Sequence, residues 1–408
     1  MNADLGVRFN PLSEEYLADP YPFLAQARET APVFYCEALD HWAVTRYDDV
    51  RSVFLRPEIF SAANANSPLS PVCPEAATVL AGYGAVPTLA NVDPPAHTRV
   101  RRMVNSAFTP RRIAAMEPLV RQIVTKFCDE RLRLGHADIV RDFAWDLPAV
   151  VVFSILGNPT EDVALVKEGS WSRIFLIYGK PSADRQITAA EGLCGFWRYA
   201  QNLIEDRVRH PQNDFTTDLL AARDEHGEGL TMAQAATVAL NLLFAGHETT
   251  TGLLGNAFRR LLDDERTAWK EICANPGLIP GAIEEVLRLD SSVIAWRRRT
   301  TRGVTLAGVD LPANANVLLL LGSANRDPAK FPDPDTFDIH RPNAHHHLSL
   351  GHGPHFCLGG PLARLEARVA LEEVSKRLPG LRLTPDTPLE FAPNVSFRGP
   401  LSLPVEWD

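Results

Sequence analysis

Cys357 lies in a glycine-rich stretch of the chain, which reads SLGHGPHFCLGG over residues 349–360. Pro361 follows, and residues 362–368 have the pattern of a helix whose first turn tolerates the proline, because no N–H is needed there. A thiolate on a turn that leads into a helix lies among backbone N–H donors and near the positive end of the helix dipole. This environment predicts a lowered thiol pKa and a side chain suited to bind an electron-poor metal.

The middle of a long apolar segment breaks the local rules for a helix. Residues 232–262 are too apolar for a surface helix, so we expect them to cross the interior of the protein. Their centre, residues 244–251, reads FAGHETTT, in which threonine and glycine are poor helix formers and burial of Glu248 is costly. Such conflicts mark functional sites. The structural alternative is a salt-bridged glutamate beside packing threonines.

Two further spacings bring charged and imidazole side chains together. Glu285 and Arg288 are three residues apart, so they face each other if the segment is helical. His97 and Arg101 are one helical turn apart on one face. Neither spacing is specific by itself, because surface Glu–Arg pairs are common and contribute little stability.

Composition argues against several classes of protein. The 408 residues carry a formal net charge of −9, which disfavours a general nucleic-acid binder. No run of about 18 apolar residues occurs, so no membrane span is expected. The start of the chain lacks the features of a signal peptide, and we predict a cytoplasmic protein. The six cysteines have no C-x-x-C spacing, which argues against a zinc ribbon or an iron–sulfur cluster. We interpret the three histidines at 345–347 as a solvated loop.

The elements that must position these residues are mostly helical. Apolar periodicity predicts helices over residues 112–133, 161–177, 189–209, 232–262 and 279–289. Strand-like patterns cover residues 41–46, 304–317 and 381–405. Residues 61–95 show little periodicity, and a loop of that length is usually functional. No repeat or linker is visible, so we predict one domain over residues 1–408, mainly α with small β-sheets.

Together these motifs, in their order along nearly the whole chain, resemble the cytochromes P-450. The resemblance implies haem b held between a long distal helix and a proximal cysteine loop, with Cys357 as the axial iron ligand. Glu248 and Thr249 would manage the protons that dioxygen activation requires. Gly246 would let the distal helix open beside the haem, and Ala245 and Gly359 would contact the cofactor.

The resemblance also implies roles for the charged pairs. The family binds the haem propionates from the helix that carries His97 and Arg101, from a strand arginine and from the histidine two residues before the cysteine. Arg298 and His355 occupy those last two positions, although Arg297 and Arg299 flank Arg298. Arg341 has the spacing of the third member of a buried triad with Glu285 and Arg288, whose role would be structural.

The substrate of such a protein would lie between the roof helices, the distal helix and two late turns. We predict a small hydrophobic or aromatic substrate, and hydroxylation or O-dealkylation by one atom of dioxygen. A hydrogen-peroxide-driven peroxygenase and a non-catalytic haem gas-binding protein are the alternatives. All the residues predicted to line this space are apolar. They are Ala245 and, with it, Val86, Leu89, Ile174, Phe175, Leu242, Val293, Ile294, Val395 and Phe397.

Several segments are similar to haem domains of self-sufficient bacterial members, which are fused to a reductase. They include residues 32–35, 41–47, 293–298 and 394–400. Electrons would therefore come from NAD(P)H through a ferredoxin and its reductase or a flavin–iron–sulfur reductase domain. One basic patch, predicted to attract an acidic donor, comprises Arg99, Arg101, Arg102, Arg111 and Arg112. One departure is Leu350, which stands where the family usually has phenylalanine.

Overall fold

A computed structural model describes residues 2–131 and 133–408, and these residues are mainly helical. The longest helix is α13, Met232–Leu262. The helices before it are α1 Asn2–Arg8, α2 Glu14–Ala18, α3 Tyr21–Thr30, α4 Tyr47–Phe54, α5 Pro74–Leu80, α6 Ala96–Ala107, α7 Pro110–Ala114, α8 Glu117–Arg131, α9 Leu147–Leu156, α10 Val163–Arg173, α11 Ala183–Arg209 and α12 Phe215–Ala221. Those after it are α14 Thr267–Ala274, α15 Ile279–Leu289, α16 Leu321–Ala324 and α17 Gly360–Arg377.

Short strands form three small sheets. The strands are β1 Val33–Cys36, β2 His41–Val44, β3 Phe60–Ser61, β4 His136–Asp138, β5 Trp296–Thr300, β6 Val304–Leu306, β7 Val309–Leu311, β8 Asn316–Leu319, β9 Arg382–Leu383 and β10 Pro404–Glu406. The largest sheet has the order β1-β2-β8-β5-β3, in which only β2 and β8 run parallel. The others are β4-β10-β9 and the hairpin β6-β7. The predicted fold class, mainly α with small sheets, is confirmed.

Helix α13 runs through the main hydrophobic core, as its sequence predicts. Thr231 caps its first turn and forms a capping box with Gln234, which satisfies N–H groups that the helix leaves free. Buried side chains lie on several of its faces, and it packs against α9, α10, α11, α15 and α17. No helix among the described residues is long and apolar enough to cross a membrane.

Several predicted boundaries are wrong, for local reasons. The segment 112–133 divides into α7 and α8, and 161–177 ends in a π-helical turn, Ile174–Tyr178. The interval 61–95 contains α5, which begins at Pro74 in a first turn that tolerates proline. Residues 381–405 form strands only at β9 and β10, with isolated bridges at Phe391 and Phe397, since their prolines cannot donate to a ladder.

Helix α17 carries a buried carboxyl group with no partner. Glu366 is inaccessible to solvent, and neither of its oxygens has a hydrogen-bond partner among the described residues. Burial raises its pKa well above the ordinary value of 4.5, so the folded protein holds this group protonated. The unfolded chain releases that proton above about pH 4.5. The free energy of unfolding therefore falls as the pH rises from there toward the folded-state pKa.

Glu366→Met is expected to raise the free energy of unfolding by about 1–3 kcal/mol at pH 7, because it removes an unpaired buried polar group of similar length. The gain is expected to be larger at pH 8 than at pH 5. Denaturant unfolding at the two pH values measures both effects. Glu130→Met, on the exposed side of α8, is the control and should change stability by less than about 0.5 kcal/mol. A destabilised Glu366→Met protein would contradict the account.

Candidate functional site

The Cys357 loop is a tight turn held against α4. The Cys357 N–H donates to the Leu350 carbonyl at 2.8 Å, which closes the turn ahead of α17. Gly351 and Gly353 have φ angles of 71° and 69°, in the left-handed region that favours glycine. A Cβ on Gly353 would lie 2.8 Å from the Phe54 carbonyl oxygen. Glycine is therefore required where the loop meets α4.

The thiol environment agrees only in part with the sequence-based expectation. The amides of Gly359 and Gly360 lie at the start of α17 and act to lower the Cys357 pKa, as does the charge of Arg101. Burial outweighs them and raises the pKa of the thiol above its ordinary value. The N–H donors are present as predicted. The prediction that the pKa of the thiol is lowered is wrong, because desolvation of the thiolate is the larger effect.

The centre of α13 has one turn that is not packed. Leu243, Phe244 and His247 are buried, whereas Ala245 is exposed and Thr249 is partly exposed. An exposed alanine in the middle of the central helix faces an internal space rather than the core. Ala245 and Thr249 are one turn apart and border it together, as predicted from the motif.

The polar side chains of this turn are connected by hydrogen bonds. Thr249 Oγ1 donates to the Ala245 carbonyl at 3.0 Å. His247 Nδ1 lies 2.6 Å from the Leu243 carbonyl, which can only accept, so Nδ1 carries a proton. His247 Nε2 lies 2.9 Å from Glu248 Oε1. A hydrogen bond therefore joins these two neighbouring side chains.

Gly246 serves close packing in this structure. Helix α13 is continuous through it, in place of the predicted local opening. A Cβ on Gly246 would lie 2.7 Å from Val152 Cγ2, so glycine allows α9 to approach α13 closely. The sequence pattern identified the position but not this reason for it.

Four basic or imidazole side chains meet beside the Cys357 loop. The His97 and His355 ring centroids are 4.1 Å apart. Arg101 Nη2 donates to the Phe356 carbonyl at 2.8 Å. Arg298, on β5, is 3% exposed, and its charge lowers the pKa of both histidines. The structure therefore brings together all four predicted propionate partners.

We call this group the cationic cluster (His97, Arg101, Arg298 and His355). Nearby acidic side chains do not balance its positive charge. Burial, followed by the charges of Arg298, His97 and Arg101, lowers the His355 pKa to about 3. Burial lowers the Arg298 pKa to about 10, opposed by Asp93. His97 Nδ1 and His355 Nε2 are buried, and neither has a hydrogen-bond partner among the residues that the structure describes. A group with two carboxylates, such as haem, fits these donors.

Strand register decides which of the three consecutive arginines belongs to the cationic cluster. Side chains alternate along β5, so Arg297 and Arg298 point to opposite faces. Arg297 donates to the Ala65 and Ile177 carbonyls, and its guanidinium lies 5.2 Å from the Tyr178 ring centroid. Arg299 is exposed. The predicted choice of Arg298 agrees with this geometry.

The predicted structural triad is confirmed. Arg288 and Glu285 are both fully buried, and Arg288 Nη2 lies 2.7 Å from Glu285 Oε1. Arg341 Nε lies 3.1 Å from the same oxygen. Arg288 also donates to backbone carbonyls of Asn325 and Pro334. These bonds hold the segment that leads to the Cys357 loop.

Several of the predicted substrate-contacting residues lie on α13 or are connected to it. Val293 and Phe397 pair through an isolated bridge, and Phe397 packs edge-on to Phe244 with ring centroids 5.6 Å apart. Val86 N–H donates to Thr237 on α13 at 3.1 Å. Three of the set are fully buried, namely Ile174, Ile294 and Val395; Leu89, Phe175 and Leu242 are partly exposed.

Two surface interpretations need correction. The basic patch is largely neutralised within the chain, because Arg99 pairs with Asp224, Arg102 with Glu225 and Arg112 with Asp218. Asp218 belongs to α12, and Asp224 and Glu225 follow it. These acids are far from the arginines along the chain, so the sequence pattern did not predict the pairing. The solvated-loop interpretation holds for His345 and His346 but not for His347, which is buried and lies 3.2 Å from Glu284.

Sequence reasoning missed three buried residues near α13. His247 was part of the quoted motif, but its pairing with Glu248 was not expected. Lys167, on α10, donates to the Trp145 carbonyl, and burial lowers its pKa to about 8 against the charges of Glu248 and Asp146. Arg173 ends α10 and lies over Phe244, on α13. A cation at these positions carries no signal in an amphipathic pattern.

Known proteins share both the sequence and this architecture. A family model described as Cytochrome P450 matches residues 275–378. The mycinamicin IV hydroxylase/epoxidase of Micromonospora griseorubida is 37% identical over 404 residues, which are 98% of each chain. The solved structure of cytochrome P450 CREJ with (4-ethylphenyl) dihydrogen phosphate is 38% identical with a TM-score of 0.95 and covers 99% of this chain and 100% of that one.

A second solved structure bears on the predicted branch of the family. An intact type IV self-sufficient cytochrome P450 monooxygenase is 38% identical, with a TM-score of 0.93. The similarity covers 99% of this chain and 53% of that longer protein. The expected similarity to haem domains of self-sufficient members is confirmed.

The fold and these similarities thus define a haem-dependent class of oxidoreductase. The chain belongs to the cytochrome P450 family. It is a monooxygenase of the bacterial type, and its cofactor is haem.

Proposed function

We propose that residues 1–408 form one haem domain in which Cys357 would ligate the haem iron and the cationic cluster would bind the propionates. The observation that carries this proposal is the meeting of His97, Arg298 and His355 beside the Cys357 loop, with buried ring nitrogens that have no partner in the described part of the chain. Haem bound there supplies the activation of dioxygen. The protein positions the substrate and controls protons and water.

We propose that the polar turn of α13 delivers protons. Thr249 lies one turn from the exposed Ala245, and its hydroxyl is at the edge of the internal space. Glu248 is only 9% exposed and is hydrogen-bonded to His247, so it would pass on a proton without a long path through bulk water. Thr249 would orient the group that accepts the proton. The hydrogen-bonded pair of His247 and Glu248 would then supply the next proton.

The substrate is proposed to have a small hydrophobic or aromatic body. Two features support this substrate class. One is the apolar lining. The other is an aromatic group whose neighbouring ring centroids lie 4.9–6.4 Å apart, formed by Tyr178, Phe244, Trp296 and Phe397. The related protein solved with an aromatic phosphate agrees with this class. Hydroxylation or O-dealkylation of such a ring substituent is the proposed reaction.

Electrons are proposed to come from NAD(P)H through a ferredoxin and its reductase or a flavin–iron–sulfur reductase domain. The docking face would be the Cys357 side of the domain, where Phe356 is 43% exposed next to the loop carbonyl that Arg101 binds. With Arg99, Arg102 and Arg112 already paired, Arg111 remains the exposed arginine of the basic patch for which the structure gives no ion pair among the described residues. Steering by this face would therefore be weaker than the sequence suggests.

Thr249→Ala and Glu248→Gln are expected to uncouple the enzyme. With a ligand that shifts the haem spin state, NADPH consumption should continue while product per NADPH falls about tenfold or more, because positioned proton donors contribute about 10²–10⁴-fold. Hydrogen peroxide should account for the lost product. The measurement compares NADPH, product and peroxide with added ferredoxin and reductase.

Thr251→Ala is the matched control, since its hydroxyl donates to the Ala144 carbonyl instead. Its coupling should stay close to that of the unchanged protein. Product formation from hydrogen peroxide alone, unaffected by either α13 substitution, would instead favour a peroxygenase. NADPH consumption that no ligand accelerates would favour a gas-binding protein.

A further inference from the structure

Arg173 is a buried cation without a hydrogen-bond acceptor. It is 3% exposed, and its Nε and Nη1 atoms are sealed from solvent with no partner. Nη2 likewise donates no hydrogen bond within the described ranges, and the guanidinium only lies over the Phe244 ring, 4.5 Å from its centroid. A buried guanidinium normally has several acceptors, because desolvation of its charge is costly.

The other buried arginines among the described residues all have acceptors. They bind carboxylates or backbone carbonyls, as Arg288 and Arg297 do. The remaining members of this set are Arg28, Arg207, Arg298, Arg326 and Arg398. Even Lys167, on the same helix, donates to the Trp145 carbonyl. Arg173 differs from all of them, so a structural ion pair does not explain it.

The location of Arg173 joins it to the proposed substrate space. It is the last residue of α10, directly before Ile174 and Phe175, and its ring partner Phe244 directly precedes the exposed Ala245. Its charge also opposes the rise that burial causes in the pKa of Tyr83, which lies in the loop before Val86. Arg173 therefore lies where α10, α13 and this loop converge.

We propose that Arg173 is an oxyanion subsite, which binds a carboxylate or phosphate group at the end of the substrate away from the reacting carbon. This inference rests on the proposed monooxygenase function and narrows its substrate class from apolar to amphipathic. The aromatic group Tyr178, Phe244, Trp296 and Phe397 would hold the ring. A guanidinium binds both oxyanions with paired N–H donors, so the two sources share one chemistry.

The test uses the holoprotein and three probes with the same body: 4-ethylphenyl phosphate, 4-ethylbenzoate and the neutral 4-ethylphenol. Binding is followed by the spin-state shift of the Soret band and by calorimetry, which detects binding without a spin change. At least one anion should bind about tenfold or more tightly than the phenol, since a charged hydrogen bond is lost with the neutral probe. Which anion is preferred identifies the source.

Arg173→Met should remove that preference while changing the affinity for 4-ethylphenol by less than about threefold. Arg173→Lys should retain part of it, because the charge remains but the paired donors do not. Arg198→Met, an exposed arginine on the neighbouring helix α11, is the control and should behave like the unchanged protein. An intact reduced carbon monoxide spectrum shows that each variant is folded around haem.

Two results would overturn the subsite. One is an unchanged protein that binds all three probes equally. The other is an Arg173→Met protein that keeps its preference for the anion or loses affinity for all three probes alike. Either result leaves the monooxygenase proposal standing, because 4-ethylphenol binding and NADPH-dependent turnover report on that separately.

Discussion

Cys357→Ala is expected to abolish the red-shifted Soret band of the reduced carbon monoxide complex, and with it monooxygenase activity. That band would report thiolate ligation of the haem iron, which is the chemistry that Cys357 would supply to the cofactor. In the structure, Cys357 is the cysteine placed beside the cationic cluster, through the Arg101 bond to the Phe356 carbonyl. His355, two residues earlier in the loop, lies against His97, with the ring planes tilted by 42°.

Cys273→Ala is the control, because this thiol is half-buried on α14 and donates to the Ser375 carbonyl instead. It should keep the full band. Haem content, measured as the pyridine haemochrome, separates loss of the ligand from loss of the cofactor. A Cys357→Ala protein that retained both haem and the red-shifted band would show that the iron ligand lies elsewhere.

Glu285→Gln is expected to destabilise the protein by about 3–5 kcal/mol, because removal of one partner leaves a buried charge uncompensated. Arg288 is fully buried, and Glu285 also accepts from Arg341 and from the Asp338 N–H. The glutamine is nearly the same size, so the loss is electrostatic and not due to a cavity. Chemical denaturation of the haem-loaded protein, followed at the Soret band and by circular dichroism, measures it.

The matched control for that change is Glu205→Gln on α11. Glu205 and Arg209 are both more than half exposed, with 4.0 Å between their charged atoms. Such a pair contributes little, so stability should change by less than about 0.5 kcal/mol. An equal loss of unfolding free energy in the two variants would show that the buried Glu285–Arg288–Arg341 triad contributes no more to stability than an exposed ion pair.

Much of the site could be predicted because its residues are close in sequence or rigidly spaced. The glycine-rich Cys357 loop and the polar centre of α13 are local motifs, and α13 and α15 begin and end at the predicted residues. The helix and strand boundaries that failed, such as those in 61–95 and 381–405, depend on single prolines and on strand partners far away in the chain. Periodicity contains no information on such partners.

Charge balance was the least predictable property. The basic patch looked free in the sequence, yet acids more than a hundred residues away neutralise most of it. The apolar list of substrate contacts omitted Arg173, since nothing in its neighbours distinguishes it from an ordinary surface arginine. The thiol pKa was expected to fall, because the helix and glycine amides are visible in sequence while burial is not.

By itself, the sequence determined the chemistry: a cysteine on a glycine turn, a glutamate and threonine inside an apolar helix, and the residues that could bind haem carboxylates. These are properties of residue type and short spacing. Only the tertiary structure decided which polar side chains of α13 are hydrogen-bonded to each other, which of three arginines joins the cationic cluster, and which buried cation has no acceptor among the described residues. Those outcomes depend on distances between segments and on desolvation, both of which arise when the chain packs.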